Sequence, residues 1–534
     1  MEIKHAANFS AFAENGFKAT ILEHIEIIQK VYLSDPIPWV VGYSGGKDST
    51  ATLQLIWHAL SRLQPEQLHK TVYVISTDTL VENPIVAQWV THSLEVMDKA
   101  AKAQKLPIVP KRLVPDVKDR FWVNLIGKGY PAPRPKFRWC TSRLKISPAN
   151  AFIIGLEQKN GEAIVVLGTR KSESAPRAAS MKRHEASTRQ YLHRNGQSDR
   201  SWVFTPIEDW TNDDVWQFLM QEKNPWGYNN KDLLGMYQGA TADGECPLVV
   251  DTSTPSCGDS RFGCYVCTMV TQDKSMQAMI QNDSEKEWMQ PLLELRNKYL
   301  DTTNDRQYRD FRRMDRSLTL MEVQELRPNE ISQVFEGKRY QLVHGPYKQS
   351  YREVLLRQLL KAQKVVNEKA PENVRFELFM LEDLEAIRQH WVIGKHEIED
   401  RVPHIYEEVM GEAYPFPRLD DNQVFRAGDI DLLHEIAGSE DDPDNLHFTL
   451  VRELLSVEIK YQHAARRAGL FEDLNDVLDC SAFKDEGEAL DFALRRMGAM
   501  RKAGETPLSE PEFIRRVIQI LPVTEDSSEF EHDI

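Results

Sequence analysis

Trp39-Val40-Val41-Gly42-Tyr43-Ser44-Gly45-Gly46-Lys47-Asp48-Ser49-Thr50 is the stretch on which the fold turns. Its first five residues are a short apolar run preceded by Pro36 and Pro38, the pattern of a buried strand. Ser44-Gly45-Gly46 breaks that run, and Leu53, Leu55, Ile56, Leu60 and Leu63 recur at helical spacing beyond it. A strand, a glycine turn and a helix N-terminus in that order make a seat for phosphate. Glycines let the backbone approach an anion closely, N–H groups can aim at one point, and the helix terminus adds partial positive charge. Ser44 and Ser49 offer hydroxyls, Lys47 offers a full charge, and Asp48 can orient the loop or help to hold Mg²⁺. The G-x-x-x-x-G-K-[ST] spacing of a Walker A loop is absent. A plain serine-glycine turn before a helix is the bland alternative.

Working outward, Thr71-Val72-Tyr73-Val74-Ile75 reads as a second strand ending at Ser76-Thr77-Asp78. Asn83-Pro84 opens a helix, with Pro84 suited to its first position. Leu106 to Leu113 is a candidate third strand, and Ala163-Ile164-Val165-Val166-Leu167 a clear buried one that ends at Gly168-Thr169-Arg170. A helix over Lys18 to Tyr32 leads in. Strands alternating with helices predict an α/β fold, a parallel twisted sheet flanked by helices, with ligands beyond the carboxyl ends of the strands near a switch in strand order. From about Lys274 the texture changes to charged, apolar-periodic stretches such as Tyr351 to Val366, Leu378 to Trp391 and Leu446 to Ala465. The expected division is therefore residues 1–274 and a mostly α-helical C-terminal half, 275–534, with a possible break at 411–421.

The chain's 534 residues exceed one ordinary domain, and 41% hydrophobic residues suffice for sizeable cores. A net charge of −15 argues against nonspecific nucleic-acid binding by the whole surface, but not against a local groove. Lys128, Arg134, Lys136, Arg138, Arg143 and Lys145 form one acid-free basic run, and residues 170–200 a second. Solvated faces are the ordinary reading of such runs. The acidic stretch 525–533 has the composition of a disordered tail. No run of about 18 apolar residues occurs, so no membrane span is expected, and the N-terminal segment lacks the apolar region of a secretory signal. The expectation is a cytoplasmic protein without membrane partners.

The form S-G-G-x-D-S-x resembles the phosphate loop of the PP-loop ATP pyrophosphatases at every fixed position. That resemblance implies ATP as cofactor, Mg²⁺ with it, and expulsion of pyrophosphate so that the α-phosphate is left open to a substrate. It places Ser44, Gly45, Gly46, Lys47, Asp48, Ser49 and Thr50 on the nucleotide, with Asp78 and Gly168 close by. Gly168-Thr169-Arg170-Lys171-Ser172-Glu173-Ser174 with Arg177, followed by Pro206-Ile207-Glu208-Asp209-Trp210-Thr211, resembles the adenylylsulfate and phosphoadenylylsulfate reductase branch over roughly residues 30–270. Lys47, Asp48, Arg170 and Arg177 become the candidate catalytic residues, the two guanidinium forks suiting phosphate or sulfur-bearing anions. Thr211 reads more simply as a helix N-cap, with Asp213 and Asp214 in the first turn. The E-C-G-L-H-like catalytic motif of that branch is missing, which argues against simple sulfonucleotide reduction.

Six cysteines remain to be explained: Cys140, Cys246, Cys257, Cys264, Cys267 and Cys480. Cys257, Cys264 and Cys267 form a C-x₆-C-x₂-C run, and Cys140 can supply a fourth thiolate from a distance. Four thiolates suit zinc or a [4Fe–4S] cluster, and the presence of one C-x₂-C pair instead of two favours iron–sulfur. Cys246 is the competing ligand or a sulfur carrier, while Cys480 reads as a buried apolar residue. The phosphate loop, Arg138-Trp139-Cys140-Thr141, the Pro-Ile-Glu-Asp-Trp run and the Cys257–Cys267 segment occur in the order seen in the DndC-like family, the PP-loop component of bacterial DNA phosphorothioation systems. This resemblance implies adenylation of DNA backbone phosphate, an iron–sulfur cluster, a cysteine desulfurase as sulfur donor and other proteins of the same modification system as partners. A PP-loop enzyme thiolating tRNA or processing a sulfonucleotide is the alternative within enzymes. A zinc-stabilised interaction protein is the alternative outside them.

Overall fold

The computed structural model describes residues 10–135, 137–173, 189–196, 198–240, 263–324, 330–372, 374–417, 432–433, 435–437, 445–462, 466–481 and 483–502. Arg177, Cys246 and Cys257 lie outside the described residues, as do Lys136 and the side chain of Cys480. The chain divides into two compact units. One comprises Met1–Phe121, Phe137–Lys298 and Val365–Leu378; the other comprises Trp122–Lys136, Tyr299–Lys364 and Phe379–Ile534.

The first unit is built on β1 (Trp39–Gly42), β2 (Val72–Thr77), β3 (Ile108–Leu113), β4 (Ala163–Val166), β5 (His193–Asn195) and β6 (Ser198–Phe204). Their order across the sheet is β3-β2-β1-β4-β6-β5. Every pairing is parallel except that of β5 with β6 at the edge. Strand β1 is central, Trp39 pairing with Val72 on one side and Ile164 on the other. Successive residues of one strand enter different cores. Trp39 and Val41 join a large cluster with Val72, Val74, Ile164 and Val166, while Val40 joins a smaller one with Ile75, Ala163 and Val165. Both faces of the sheet are thus covered, which is why these strands read as continuous apolar runs rather than alternating ones.

Helices α1 (Phe17–Leu33), α2 (Lys47–Leu60) and α3 (Pro84–Ala103) follow the expected positions. Asn83 caps α3 by accepting a hydrogen bond from the N–H of Ile85 at 3.0 Å, with Pro84 in the first turn. Thr211 caps the helix Asn212–Gln221 by a reciprocal pair of bonds with Asp214, at 3.1 and 2.8 Å. The chain runs from β1 outward through β2 to β3, then returns to the opposite side of β1 for β4. The switch in strand order therefore falls between β1 and β4, and the loops after those two strands flank one crevice.

Beyond Lys274 helices predominate, at Gln349–Lys369, Leu381–Gln389, Arg401–Met410, Leu446–Tyr461, Leu470–Ser481 and Glu486–Lys502. The second unit also contains β7 (Leu320–Glu322), β8 (Gln333–Phe335) and β9 (Lys338–Leu342), an antiparallel sheet in the order β7-β9-β8. Within this unit Arg352 and Glu397 form a buried ion pair, and the indole N–H of Trp391 donates to the carbonyl of Ile126 at 2.9 Å. Among the described residues no helix is long and apolar enough to cross a membrane.

Candidate functional site

The loop after β1 takes its shape from two glycines. Gly45 has φ +75°, and a Cβ built on it would stand 2.4 Å from Cγ2 of Val90. A side chain there meets both backbone strain and a steric clash. Gly46 is the N-cap residue of α2 and brings no capping side chain, so no N-cap side chain competes with a ligand for the first N–H groups of this 14-residue helix. The hydroxyls of Ser44 and Ser49 lie 3.1 Å apart, and Ser49 Oγ donates to the carbonyl of Gly46 at 3.1 Å, closing the turn on itself.

Charge at this loop is arranged around Asp48. Its Oδ2 receives Lys47 Nζ at 3.0 Å and its Oδ1 receives Arg170 Nε at 2.7 Å. Arg170 arrives from the loop after β4 and is buried. Its Nη1 also donates to Ser172 Oγ at 2.9 Å and to the carbonyl of Trp210 at 3.3 Å, so the guanidinium is fixed on three sides. Gly168 allows this approach: a Cβ there would stand 2.8 Å from both the carbonyl of Asp48 and Thr52 Oγ1. Two cations on one carboxylate leave net positive charge beside the open helix terminus, the sign that a polyphosphate requires.

The crevice opens into a cleft of about 1920 Å³. Ser44, Gly45, Gly46, Lys47, Asp48, Ser49, Asp78, Gly168 and Arg170 all line it. Thr50, also expected on the nucleotide, is buried at 3% exposure and stands off the cleft wall. Asp78 is held by its neighbours, pairing with Arg112 and accepting from the N–H of Leu80 at 2.8 Å.

Cys264, Cys267, Glu82, Arg138 and Lys145 line the same cleft. Glu82 and Cys264 are joined by a backbone bridge, and Glu82 Oε1 lies 3.8 Å from Cys264 Sγ and 3.5 Å from Lys145 Nζ. Thr79 Oγ1 lies 3.4 Å from the same sulfur. Burial pushes the thiols of Cys264 and Cys140 up, whereas Cys264 and then Glu82 hold the Lys145 ammonium above the usual lysine range. Cys140, Cys264 and Cys267 are free thiols. Among the described residues no group of three Cys, His, Asp or Glu side chains is placed to hold a metal ion. The described residues therefore do not by themselves build the expected four-thiolate set.

The basic run around Cys140 is not a bare cationic face. Arg143 pairs with Asp119, Arg134 with Asp305 and Lys145 with Glu82, while Lys128 donates to Asn124 at 3.1 Å. Arg138 reaches the cleft wall. In the second basic stretch Arg170 is committed to Asp48, Lys171 to Glu208 and Asp209, and the guanidinium of Arg194 stacks 3.9 Å from the centre of the Trp202 ring. Carboxylates distant in sequence consume much of the charge that composition suggested for nucleic acid.

Tyr237, from the helix Asn230–Gly239, is a site residue that sequence reasoning missed. Its hydroxyl accepts from the N–H of Lys47 at 3.4 Å, and Lys47 Nζ lies 5.9 Å from the centre of its ring. Nothing in the local pattern marks it, because the partner it meets is 190 positions away. Glu82 was missed for the same reason.

Residues 38–230 match the family model of the phosphoadenosine phosphosulfate reductase domain. An uncharacterized protein of Methanocaldococcus jannaschii is 28% identical over 202 residues, which are 38% of this chain and 35% of that protein. The chain thus matches little more than a third of its relative's length. Among solved structures, the phosphoadenylyl-sulfate reductase of Candida auris in its phosphate complex aligns at 15% identity over 41% of this chain and 92% of that one, with a TM-score of 0.25. The FMN adenylyltransferase of Candida glabrata with FAD and inorganic pyrophosphate aligns at 12% identity over 44% and 66%, with a TM-score of 0.24. With a phosphate loop at the switch point of a parallel sheet and a family model matched across that sheet, residues 38–230 are a PP-loop nucleotide-processing domain resembling phosphoadenosine phosphosulfate reductase.

Proposed function

We propose that the protein is an ATP pyrophosphatase that adenylates an anionic acceptor, and that the acceptor is the phosphate backbone of DNA. The observation that carries the nucleotide part is the Lys47–Asp48–Arg170 network beside the uncapped N-terminus of α2. In this reading the β- and γ-phosphates sit on the loop, where preset donors meet the charge that develops on pyrophosphate as it leaves. An acceptor oxygen attacks the α-phosphorus, the bond from that phosphorus to the bridging oxygen breaks, and the electron pair departs with pyrophosphate. Lys47 and the N–H groups of α2 stabilise the leaving group, while Arg170 fixes Asp48, the carboxylate that would hold Mg²⁺ if the ion enters with the nucleotide.

The DNA part is supported by the order of motifs and by Arg138, Cys264 and Cys267 lining the same cleft as the phosphate loop. A phosphodiester oxygen is a poor leaving group until it carries AMP. Once adenylated, it can be displaced as AMP by sulfur at the hydrosulfide level, with a phosphorus–sulfur bond replacing a phosphorus–oxygen bond and no change of oxidation state. A cysteine desulfurase as sulfur source, a dithiol reductant that brings its persulfide sulfur to the hydrosulfide level and is itself oxidised to a disulfide, the other proteins of a phosphorothioation system as partners, and a [4Fe–4S] cluster on Cys140, Cys257, Cys264 and Cys267 belong to the same proposal. The experiment is pyrophosphate release from ATP with and without DNA, read beside transfer of labelled AMP to the DNA. Stimulation by DNA together with label on DNA is expected; label on tRNA, or turnover indifferent to every nucleic acid, would sink the DNA part.

A second reading, processing of a sulfonucleotide, is favoured by the match of residues 38–230 to the phosphoadenosine phosphosulfate reductase domain. Binding of adenylylsulfate in preference to ATP would promote it.

A further inference from the structure

The hydroxyl of Tyr237 stands directly over the phosphate loop. It accepts from the N–H of Lys47, the first residue of α2, at 3.4 Å, and a Cβ built on Gly46 would come within 3.3 Å of it. The ring is held from behind: Trp216, only 1% exposed, packs edge-on against it with ring centres 5.2 Å apart at 89°. Asp48 and Arg170, the two groups that organise the loop's charge, are its electrostatic neighbours. A donor fixed by buried aromatic packing, instead of by a flexible stem, loses little freedom when a ligand arrives.

We propose that Tyr237 is a phosphate-binding residue of the loop, its hydroxyl donating a hydrogen bond to the terminal pyrophosphoryl group of the nucleotide while that group takes over the N–H of Lys47. This deepens, and rests on, the nucleotide reading of the cleft. The 3.4 Å separation is at the long limit of a hydrogen bond, so the Lys47 N–H is weakly engaged and readily surrendered to a phosphate oxygen. The phenol keeps its proton for the task, since burial pushes it up to about 12. Phosphate oxygens only accept, so a neutral tyrosine hydroxyl and an amide N–H side by side complement them. The geometry selects the pyrophosphoryl end of the ligand rather than its adenosine, which carries no charge for this corner.

The test compares the full-length parent, Tyr237→Phe and Lys47→Ala for binding of magnesium pyrophosphate and, separately, of adenosine. Tyr237→Phe is expected to weaken pyrophosphate binding about tenfold, the worth of one hydrogen bond to a charged group, and to leave adenosine binding unchanged. Equal pyrophosphate affinity in parent and Tyr237→Phe, or tighter binding by the variant, would overturn the role given to the hydroxyl. Equal loss of pyrophosphate and adenosine would also overturn it, since that pattern marks a structural disturbance. Failure of the parent to bind pyrophosphate, with Lys47→Ala indistinguishable from it, would instead refute the nucleotide reading on which the role rests.

Discussion

Arg170 and Asp48 are 122 positions apart in sequence, yet Arg170 Nε lies 2.7 Å from Asp48 Oδ1 and joins the ends of β1 and β4 across the switch point of the sheet. The pair does more than tie two loops together. It holds the carboxylate so that its second oxygen faces Lys47, which sets the position of the one lysine in the loop. Removing the guanidinium would leave a carboxylate free to neutralise Lys47 alone and would take one partner each from Ser172 and the Trp210 carbonyl, which stay bonded to each other at 2.9 Å.

Arg170→Ala should therefore lower the rate of pyrophosphate release by about a hundredfold or more, in the range seen when one preorganised donor is removed. Arg170→Lys should restore little, because an ammonium cannot serve Asp48, Ser172 and Trp210 at once. Steady-state release assays on the three proteins check this, and substantial recovery by lysine would mean that charge alone is needed.

Lys47→Ala should cost about a hundredfold to a thousandfold in the same assay while leaving the fold intact. Its ammonium is partly exposed and pairs with the adjacent, partly exposed Asp48, so its removal strands no fully buried carboxylate there. Circular dichroism and a thermal transition beside the rate measurement separate loss of chemistry from loss of structure. Rates equal to the parent's would remove the loop from the active site.

Gly45→Ala should lower both stability and nucleotide affinity. A residue with a side chain at φ +75° costs about 1–3 kcal/mol, and the new Cβ also meets Val90 on α3. Val90→Ala in the same chain should recover part of the stability, because it relieves the clash but not the backbone strain. Denaturant titration of the single and double variants reads this, and full recovery would show that the backbone conformation carries no cost.

Acid should destabilise the protein through partly buried histidines. Burial, with Lys128 and Lys395 nearby, drives His390 down to about 4, and burial also lowers His58 and His396. Between these depressed values and the ordinary histidine pKa near 6.5, the unfolded chain binds protons that the folded one refuses. Stability is therefore fully present above about pH 6.5 and declines as the pH falls toward 4. Urea midpoints for the parent and His390→Gln at pH 7, 6 and 5 should show the variant losing less; parallel declines would exclude His390 as a source.

What was readable from sequence follows from where each signal lives. Strands β1, β2 and β4 were legible because a sheet covered on both faces writes itself as unbroken apolar runs. Strand β6 escaped because Ser198, Asp199 and Arg200 open it and only Trp202-Val203-Phe204 are apolar. The sheet β7-β9-β8 escaped because its strands are short, partly exposed and carry charges such as Glu322 and Lys338. The phosphate loop was legible because its chemistry is contiguous. Tyr237 and Glu82 were not, since only the folded chain brings them to the loop and to Cys264. The carboxylates that pair with the basic run at 128–145 were not legible for the same reason: Asp119, Glu82 and Asp305 lie outside the run.

The most direct measurement is the product pattern from α-labelled ATP incubated with Mg²⁺ and DNA, for the parent and Lys47→Ala. Labelled AMP, free or attached to DNA, accompanied by pyrophosphate and abolished in Lys47→Ala, is the expected result. Labelled ADP with orthophosphate, or AMP formation that survives loss of Lys47, would contradict an adenylating site at the Ser44–Thr50 loop.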